Sequence, residues 1–455
     1  MTATVSYYNR FVCDRTQGGP PIVVNSGISK RDGTHWVKEE QQPGRQEHRP
    51  RLLDRDEIGR FARIRVSNAE FATSAGAQLP AKQFKENWQR RQVRKENRRD
   101  CDMWSMAHGW IGHDKNHVIH PQLIQDRKFQ KAGWRKFAQT RVLIGQDGTE
   151  ISLLDVMDQA QKNRRAELYT LVKGIQKVAE ASGLTWGMLT LSCPSRFHPR
   201  PKNGHSTWDY STPEDAHRWL HREWRGVLRR LDKQGINISG VRFVEYHQDG
   251  CPHWHILFYT NALPELMAEV RKAWPTEAGA DFVIGDPKKG SFATYCLAYL
   301  MTDESTAPHV NQYDAKRAIW SQRFIQFFGI PSIGLWRSAR AMEAAPGDGG
   351  LADAVWRAAR RGDGAAFIAL AGGLAAKNKD RPIHGRIVCT PAPSESKTAT
   401  IKTAAGTFST PLQTWKIRGV AVILNYPRTP PQSSLDAQIE PQKIKKRDGT
   451  ERWLH

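Results

Sequence analysis

The spacing of apolar residues changes from a helical to a strand period near the middle of the chain. Apolar side chains recur every three or four positions over residues 151–182, which predicts an amphipathic helical region. Beyond this region the period becomes two. TWGMLTLSCPS (185–195) predicts one strand, and GVRFVEYH (240–247) and PHWHILFY (252–259) predict two more, joined by the turn QDGC into a hairpin.

A helix with strong start signals separates the first strand from this hairpin. Thr212 can serve as its N-cap, Pro213 as its first residue and Asp215 as the capping-box partner. Two further helices are predicted, one over about 263–274 and one that carries SFATYCLAYLMTD (291–303). This order of strand, helix, hairpin and helix predicts an α+β fold, with helices on one side of an antiparallel sheet.

Composition divides the chain into segments. The first is rich in Gly, Pro, Gln and charge and has little hydrophobic period, which is typical of a disordered arm. After Met342 the sequence becomes rich in Ala and Gly, and its last part is Pro-rich and basic. The predicted organisation is a disordered arm (1–55), a basic helical region (56–182), a central domain (183–345), an Ala/Gly-rich linker with a small helical and β-like region (346–425) and a basic tail (426–455).

The charge balance favours a polyanionic partner. The chain has 68 Lys and Arg against 46 Asp and Glu, a formal net charge of +22 and a pI near 9.9. An excess of this size is typical of proteins that bind nucleic acid, although a protein can also be basic without such a partner. The 16 tryptophans add flat surfaces on which unpaired bases could stack.

The sequence predicts neither export nor a membrane span. No apolar run reaches the about 18 residues that a spanning helix needs. The first residues, MTATVSYYNRFVCDRTQGGPP, lack the basic start, apolar core and cleavage site of a signal peptide. The six cysteines include no C-x-x-C pair, which is typical of a reducing compartment. We therefore expect the protein in the cytoplasm.

One group of residues offers a structural zinc site as an alternative use of the cysteines and histidines. Its spacing fits no standard zinc finger, so the pattern gives this alternative little support. The group consists of Cys101, His108, His113, His117 and His120.

Two histidines open the third predicted strand. On a strand, residues i and i+2 lie on the same face, so His253 and His255 point the same way. Trp254 and Ile256 then point the other way, into the core. Two imidazoles side by side supply half of a metal site, although such a pair can also be two hydrogen-bonded strand residues.

The third ligand is expected on the partner strand. Glu245 is the first candidate because an oxygen ligand suits an ion that binds phosphate, and His247 is the second. A plain two-residue or four-residue turn would instead place Val244 and Tyr246 on the histidine face. Glu245 reaches that face only if a bulge shifts the pairing by one residue, and Gly250 permits such a bulge.

Tyr295 and Tyr299 stand four residues apart on a predicted helix and therefore share one of its faces. Tyrosines at this spacing are ordinarily core aromatics. A phenol with a pKa of about 10 is a poor nucleophile unless it is activated. A divalent metal could polarise a phosphate while a phenolate attacks it in line. Together, metal ligands and tyrosines predict DNA strand transfer through a phosphotyrosine bond.

Four ordered motifs resemble the HUH endonucleases of rolling-circle replication, and more narrowly the phage replication gene A protein family. They cover most of residues 150–345. Weaker similarity extends towards the β-like region near 384–424. The motifs are LTLSCPSRFH (189–198), VEYHQDGCPHWHILF (244–258), GSFATYCLAYL (290–300) and AIWSQRFIQFFGIPSIGLWRSAR (318–340).

The resemblance implies an HUH-type antiparallel sheet with flanking helices, which makes residues 183–345 an HUH endonuclease domain. It implies a site-specific nickase that starts phage or prophage replication in the bacterial host cell. The enzyme would stay joined to the 5′ phosphate and leave a 3′ hydroxyl for the host polymerase, with a host replicative helicase as a further partner. His253, His255 and Glu245 would hold Mg²⁺ or Mn²⁺, and Tyr295 and Tyr299 would be the alternating nucleophiles.

The chain departs from the family pattern at one position. Many members carry a Lys immediately before the second tyrosine, where this chain has Ala298. Lys288 or Lys289 could supply the missing positive charge. Arg196 and His198 are candidate DNA contacts in the loop that follows the first strand.

Two alternatives remain open from the sequence. The chain could be a non-catalytic origin-binding protein in which His253 and His255 are structural. It could also perform the same chemistry as a relaxase or a transposase. Paired tyrosines argue against a single-tyrosine transposase, and histidines that precede the tyrosines differ from the order in typical relaxases.

Overall fold

The computed structural model describes residues 51–419 except 75, 114, 203–204, 277–278, 302–308, 391–395 and 414–415, together with the backbone of four short strands closer to the two ends. The predicted disordered arm (1–55) and basic tail (426–455) lie largely outside the described residues. The chain forms two compact units. The first is drawn from Met1–Gln130, Leu184–Ile284 and Asp303–Phe328, and the second from Lys131–Gly183, Gly285–Thr302 and Gly329–His455.

The described part of the chain combines helices with antiparallel strands, as predicted for an α+β protein. The helices are α1 (Arg55–Ser74), α2 (Glu86–Ala107), α3 (Pro121–Gln139), α4 (Leu153–Ala181), α5 (Pro213–Lys233), α6 (Leu263–Ala273), α7 (Phe292–Met301), α8 (His309–Trp320), α9 (Ile333–Ala341), α10 (Leu351–Arg361) and α11 (Gly364–Leu370). None of the described helices is both long enough and apolar enough to cross a membrane.

The strands form small antiparallel sheets and one larger sheet. They are β1 (Ser26–Ile28), β2 (His35–Val37), β3 (Arg141–Ile144), β4 (Glu150–Ser152), β5 (Thr185–Leu191), β6 (Ser239–Tyr246), β7 (Pro252–Thr260), β8 (Ala280–Ile284), β9 (Ile325–Phe328), β10 (Ile383–Thr390), β11 (Ser396–Thr403), β12 (Gly406–Leu412), β13 (Lys416–Gly419), β14 (Gln442–Lys445) and β15 (Glu451–Leu454).

A five-stranded antiparallel sheet forms the centre of the first unit, in the order β8-β5-β7-β6-β9. The predicted hairpin is β6 and β7. The first predicted strand ends at Leu191 rather than residue 195, because Pro194 has no N–H to donate to a neighbouring strand and a 3₁₀ turn begins at Ser195. The edge strand β9 was not predicted from apolar spacing.

Helices α5 and α6 cover one face of this sheet. Helix α5 begins with the predicted capping box, in which the Thr212 side chain accepts from the Asp215 N–H and the Asp215 carboxylate accepts from the Thr212 N–H. Trp254 and Ile256 point into this core and are fully buried, as their alternation with the histidines predicts. The core side chains of α5 are Ala216, Leu220, Trp224, Val227 and Leu231.

A second apolar cluster joins α2, α8 and the end of β6 next to the hairpin turn. Its buried members come from segments far apart in the sequence, which explains why the periodicity of any one segment did not reveal it. They are Cys101, Val118, Ile119, Leu123, Tyr246, Ala315, Ile319 and Trp320.

Helix α4 is the longest described helix of the second unit and packs against α7 and α11. Gly174 allows the close approach of α11, because a Cβ at this position would lie 2.5 Å from the carbonyl carbon of Gly364. Two three-stranded sheets complete the unit, in the orders β10-β11-β12 and β13-β3-β4. The predicted β-like segment near 384–424 is therefore confirmed where it is described.

Candidate functional site

The turn between β6 and β7 sets the register of the candidate metal ligands. The N–H of His247 donates to the Cys251 carbonyl, and that of Gly250 to the His247 carbonyl, both at 2.9 Å. Gly250 has a φ of +85°, so the turn is followed by a glycine in the left-handed region, as in a glycine bulge. The loop therefore has an odd number of residues, and Glu245 pairs directly with His253. The bulge that the sequence permits is present, and it places Glu245 on the histidine face.

Glu245, His253 and His255 converge on one point of the sheet. The Nε2 atoms of the two histidines are 3.0 Å apart, and Glu245 Oε2 lies 3.3 Å from His255 Nε2 and 3.9 Å from His253 Nε2. Within the described residues this is the one set of three or more ligating groups close enough to share an ion. In particular, the residues of the alternative zinc set do not form such a group in the described part of the chain.

The three side chains fit a divalent cation. Two ligands about 2.1 Å from one ion and at right angles to each other are about 3 Å apart, as the two imidazole nitrogens are. Burial, together with the neighbouring His247 and His255 rings, holds the pKa of His253 well below its usual value, so the ring is neutral and offers a lone pair. Two imidazoles and one carboxylate suit a transition-metal or magnesium-like ion.

Thr190 fixes the orientation of His255. The two residues are directly opposite each other on β5 and β7, and Thr190 Oγ1 lies 3.1 Å from His255 Nδ1. With Nδ1 bonded to the hydroxyl, Nε2 faces Glu245 and is available to an ion. The sequence placed Thr190 in the strand but gave it no role, because only the strand pairing shows which histidine it meets.

His247, the second candidate for the third ligand, is not part of the ligand group. Its ring packs on that of His253, with 4.3 Å between the centroids. Burial and the nearby His198 lower the pKa of His247 to about 4. The structure therefore brings together Glu245, the first candidate, with the two histidines.

The two candidate DNA contacts in the loop after β5 differ in their surroundings. His198 is mostly buried and lies 2.9 Å from Asp249 in the hairpin turn. Burial opposes its charged form, but the Cys251 sulfur and the Asp249 carboxylate raise the pKa of His198 to about 11. His198 thus fastens the loop to the turn. Arg196 is half exposed and forms an ion pair with Asp209 at 3.2 Å.

A buried lysine closes over the hairpin turn. Lys316 Nζ lies 2.8 Å from the Asp102 carboxylate, and both side chains are fully buried. A Cβ at Gly250 would lie 2.5 Å from this Nζ and 3.0 Å from Ile111 Cδ1. Gly250 is therefore required both for its positive φ and for this close contact.

The candidate nucleophiles lie on α7, in the second unit, whereas the metal ligands lie in the first. Tyr295 and Tyr299 are both partly buried and one helical turn apart. The helix is joined to α4 by a hydrogen bond from the Ala293 N–H to Gln176 Oε1 at 3.1 Å. Gly290 precedes the helix, and a Cβ there would lie 3.2 Å from the Tyr295 ring. The predicted helical spacing of the tyrosines is confirmed, and their catalytic role stays a prediction.

The basic residues near the tyrosines lie in the loop before α7. Lys288 and Lys289 are exposed, and Lys289 Nζ is 3.9 Å from the Asp286 carboxylate. Ala298, which stands where many family members have a lysine, is partly buried on α7. The contribution of either lysine to phosphate binding stays a prediction.

Comparison with known proteins gives phage replication proteins. Residues 63–281 match the family model described as bacteriophage replication gene A protein. The replication gene A protein of Escherichia phage 186 is 27% identical over 319 residues, which cover 61% of this chain and 45% of that protein. A probable replication protein of Pseudoalteromonas phage PM2 is 27% identical over 336 residues, or 66% of this chain and 52% of the relative.

A probable replication endonuclease from a prophage-like region of Escherichia coli O6:H1 is 25% identical over 253 residues, covering 49% of this chain and 32% of the relative. The chain thus spans about half, or less, of the length of these curated relatives. No solved structure matches it. The family match includes Glu245, His253 and His255 and ends before Tyr295.

Proposed function

Because the chain belongs, through residues 63–281, to the bacteriophage replication gene A protein family, we propose that it is a site-specific DNA-nicking endonuclease that initiates phage or prophage rolling-circle replication. The observation that carries the proposal is the convergence of Glu245, His253 and His255 within the matched segment. A relative named as a probable replication endonuclease supports the same reaction class.

In this proposal the five-stranded sheet is an HUH-type sheet. Glu245, His253 and His255 would hold Mg²⁺ or Mn²⁺, which would polarise the DNA phosphate and offset the charge that develops on it. Burial keeps the His253 ring neutral, and Thr190 holds the His255 ring with its Nε2 towards Glu245. The chain thereby presents an ordered set of ligands rather than flexible side chains.

Tyrosine attack supplies the cleavage. The hydroxyl oxygen of Tyr295 or Tyr299 loses its proton and bonds to the phosphorus, while the bond from phosphorus to the 3′ oxygen breaks. The 3′ oxygen takes up a proton and leaves as a hydroxyl that a polymerase can extend. The protein retains the 5′ phosphate as a tyrosine ester. The phosphodiester energy is conserved, so the reverse step can rejoin the strand.

Two tyrosines allow the reaction to be repeated. One holds the displaced 5′ end through a round of copying, and the second cleaves the regenerated site so that the first product can be released as a circle. Tyr295 and Tyr299 lie one helical turn apart on the same face of α7, which supports this alternation. Lys288 or Lys289 would supply the positive charge that Ala298 does not.

The proposed partners follow from the reaction. The substrate is single-stranded or locally melted origin DNA, for which the net charge of +22 is favourable. A nicked strand can be copied only if the duplex ahead is opened and the 3′ end extended, so a host replicative helicase and polymerase are the proposed protein partners.

Transfer of labelled DNA to the protein tests the proposal. We expect circular single-stranded phage DNA, incubated with the protein and Mn²⁺, to give a labelled protein band on a denaturing gel. The band should disappear with a chelator and in His253→Ala, because either removes the ion from the site. His108→Ala, which changes an exposed histidine outside the cluster, should keep it.

The rival functions predict other results. A DNA mobility shift without any covalent band on origin-bearing substrates would contradict nicking and favour a non-catalytic origin-binding protein. A covalent band on a plasmid transfer origin or a transposon end, but on no phage origin, would favour a relaxase or a transposase.

A further inference from the structure

The loop that follows β5 presents two aromatic rings. We call residues 192–202 and 205–211 the aromatic loop. The rings of Trp208 and Tyr210 lie against each other, with 4.6 Å between their centroids and 35° between their planes. Tyr210 nevertheless leaves 58% of its surface exposed, so its ring can be reached from solvent.

The backbone at Tyr210 is strained. Its φ of 61° lies in the left-handed region, which a bulky residue other than glycine rarely adopts. Such a conformation costs about 1–2 kcal/mol, and glycine would relieve it. A tyrosine that is kept exposed in a strained conformation points to a use for its ring.

The aromatic loop is braced by its own hydrogen bonds. Trp208 Nε1 donates to the Ser211 carbonyl at 3.1 Å, and the Ser211 N–H donates to Asp209 Oδ1 at 2.9 Å. The other Asp209 oxygen pairs with Arg196, and the Asp209 N–H donates to the Arg196 carbonyl at 3.1 Å. The two rings are therefore held on a fixed frame rather than on an open loop.

The same loop is attached to the candidate metal centre. His198 in the loop contacts Asp249 in the turn that carries the metal ligands. Leu191, the last residue of β5, pairs with Trp254, which lies between the two ligand histidines. The loop therefore leaves β5 at the same end of the sheet as the cluster.

The charged residues exposed in the aromatic loop are basic. Arg196, Arg200, Lys202 and His205 are all exposed. Asp209 is the one acidic residue among the described residues of the loop, and it is paired with Arg196. A basic surface with exposed aromatic rings is the combination that binds single-stranded nucleic acid, because phosphates and unpaired bases are recognised separately.

We propose that Trp208 and Tyr210 form a platform on which an unpaired base of the DNA substrate stacks close to the cleaved phosphate. This inference rests on the proposed nicking function for its substrate. The platform would hold the melted strand in place while Arg196 and its basic neighbours contact the phosphates. It would contribute affinity for single strands without reading their sequence, because every base has a stacking face.

Binding of two matched probes tests the platform. The probes are fluorescein-labelled oligothymidylate and an oligomer of the same length made of abasic nucleotides, which has the same charge but no bases. The protein carries Tyr295→Phe and Tyr299→Phe, so that no covalent product forms. We expect Tyr210→Gly to weaken oligothymidylate binding about tenfold in anisotropy titrations and to leave abasic binding unchanged.

Two control variants isolate the ring. Tyr210→Phe keeps the stacking face and should bind like the parent. Phe71→Ala removes a more exposed aromatic residue on α1 and should also change nothing. Because glycine relieves the backbone strain, Tyr210→Gly should not lower Tm, so a loss of affinity cannot be attributed to misfolding.

If Tyr210→Gly lost equal affinity for both probes, or lost affinity for neither, the platform proposal would be overturned. Failure of the nicking function gives a different result. In that case the protein with both tyrosines intact forms no covalent band, whatever its affinity for oligothymidylate. If instead the platform alone is wrong, Tyr210→Gly forms the covalent band at the parent rate at limiting DNA concentration.

Discussion

The β6–β7 hairpin positions the proposed metal ligands and helix α7 positions the proposed nucleophiles, and the two depend on different structural features. The ligands on the hairpin depend on strand register, on a glycine bulge and on a buried ion pair contributed by distant helices. The spacing of the two tyrosines on α7 follows from the period of one helix. A substitution in the hairpin can therefore disturb folding, whereas a conservative change of the tyrosines should affect chemistry alone.

The largest expected effect comes from the tyrosines and isolates chemistry from folding. We expect Tyr295→Phe combined with Tyr299→Phe to reduce formation of the covalent DNA adduct by about a thousandfold or more, because no phenol oxygen remains to attack. Tm and Mn²⁺ affinity should stay at the parent values. Adduct bands that persist in this double variant would show that another residue is the nucleophile.

A substitution at the hairpin turn should instead lower the stability of the fold. Gly250→Ala must adopt a positive φ and displace Lys316 Nζ, so we expect it to lower the free energy of unfolding by about 2–4 kcal/mol, measured by urea denaturation. Gly235→Ala is the matched control, because Gly235 also has a positive φ but a Cβ added there would meet no atom within 4 Å. Equal losses for the two variants would mean that the contact with Lys316 contributes nothing.

The smallest expected effect tests how a residue of the neighbouring strand β5 orients one of the ligands on the hairpin. Thr190→Val removes the hydroxyl that holds His255 Nδ1 and keeps the shape of the side chain, so Mn²⁺ affinity in calorimetric titrations should fall about tenfold. Thr190→Ser should bind Mn²⁺ like the parent. If the valine variant also does, His255 is oriented by packing rather than by this hydrogen bond.

Local signals made the hairpin and its neighbouring helix predictable. The alternation around Trp254, the capping box at Thr212 and the glycine in the turn are all readable within a few residues. The two possible registers could also be stated from the sequence, because the parity of the turn decides which residue faces the histidines. What the sequence could not decide was which parity the loop adopts, and the structure resolves this in favour of Glu245.

Contacts between distant segments were beyond the reach of periodicity. Thr190 meets His255 only because β5 pairs with β7, and Lys316 meets Asp102 only because α8 packs on α2. Each partner alone is an ordinary strand or helix residue. Strand β9 at the sheet edge was missed for a related reason, since its four residues are too short to establish a period.

The buried ion pair also bears on when the metal ligands become ordered during synthesis. Asp102 and Lys316 are 214 positions apart, and both are fully buried in the finished protein. Before residue 316 is made, Asp102 lacks its cation and the hairpin turn lacks the side chain that closes over it. All three ligands have been synthesised by residue 255, yet a nascent chain of that length does not contain the helix that fixes their turn. Fragments intended to retain this site must therefore extend through α8.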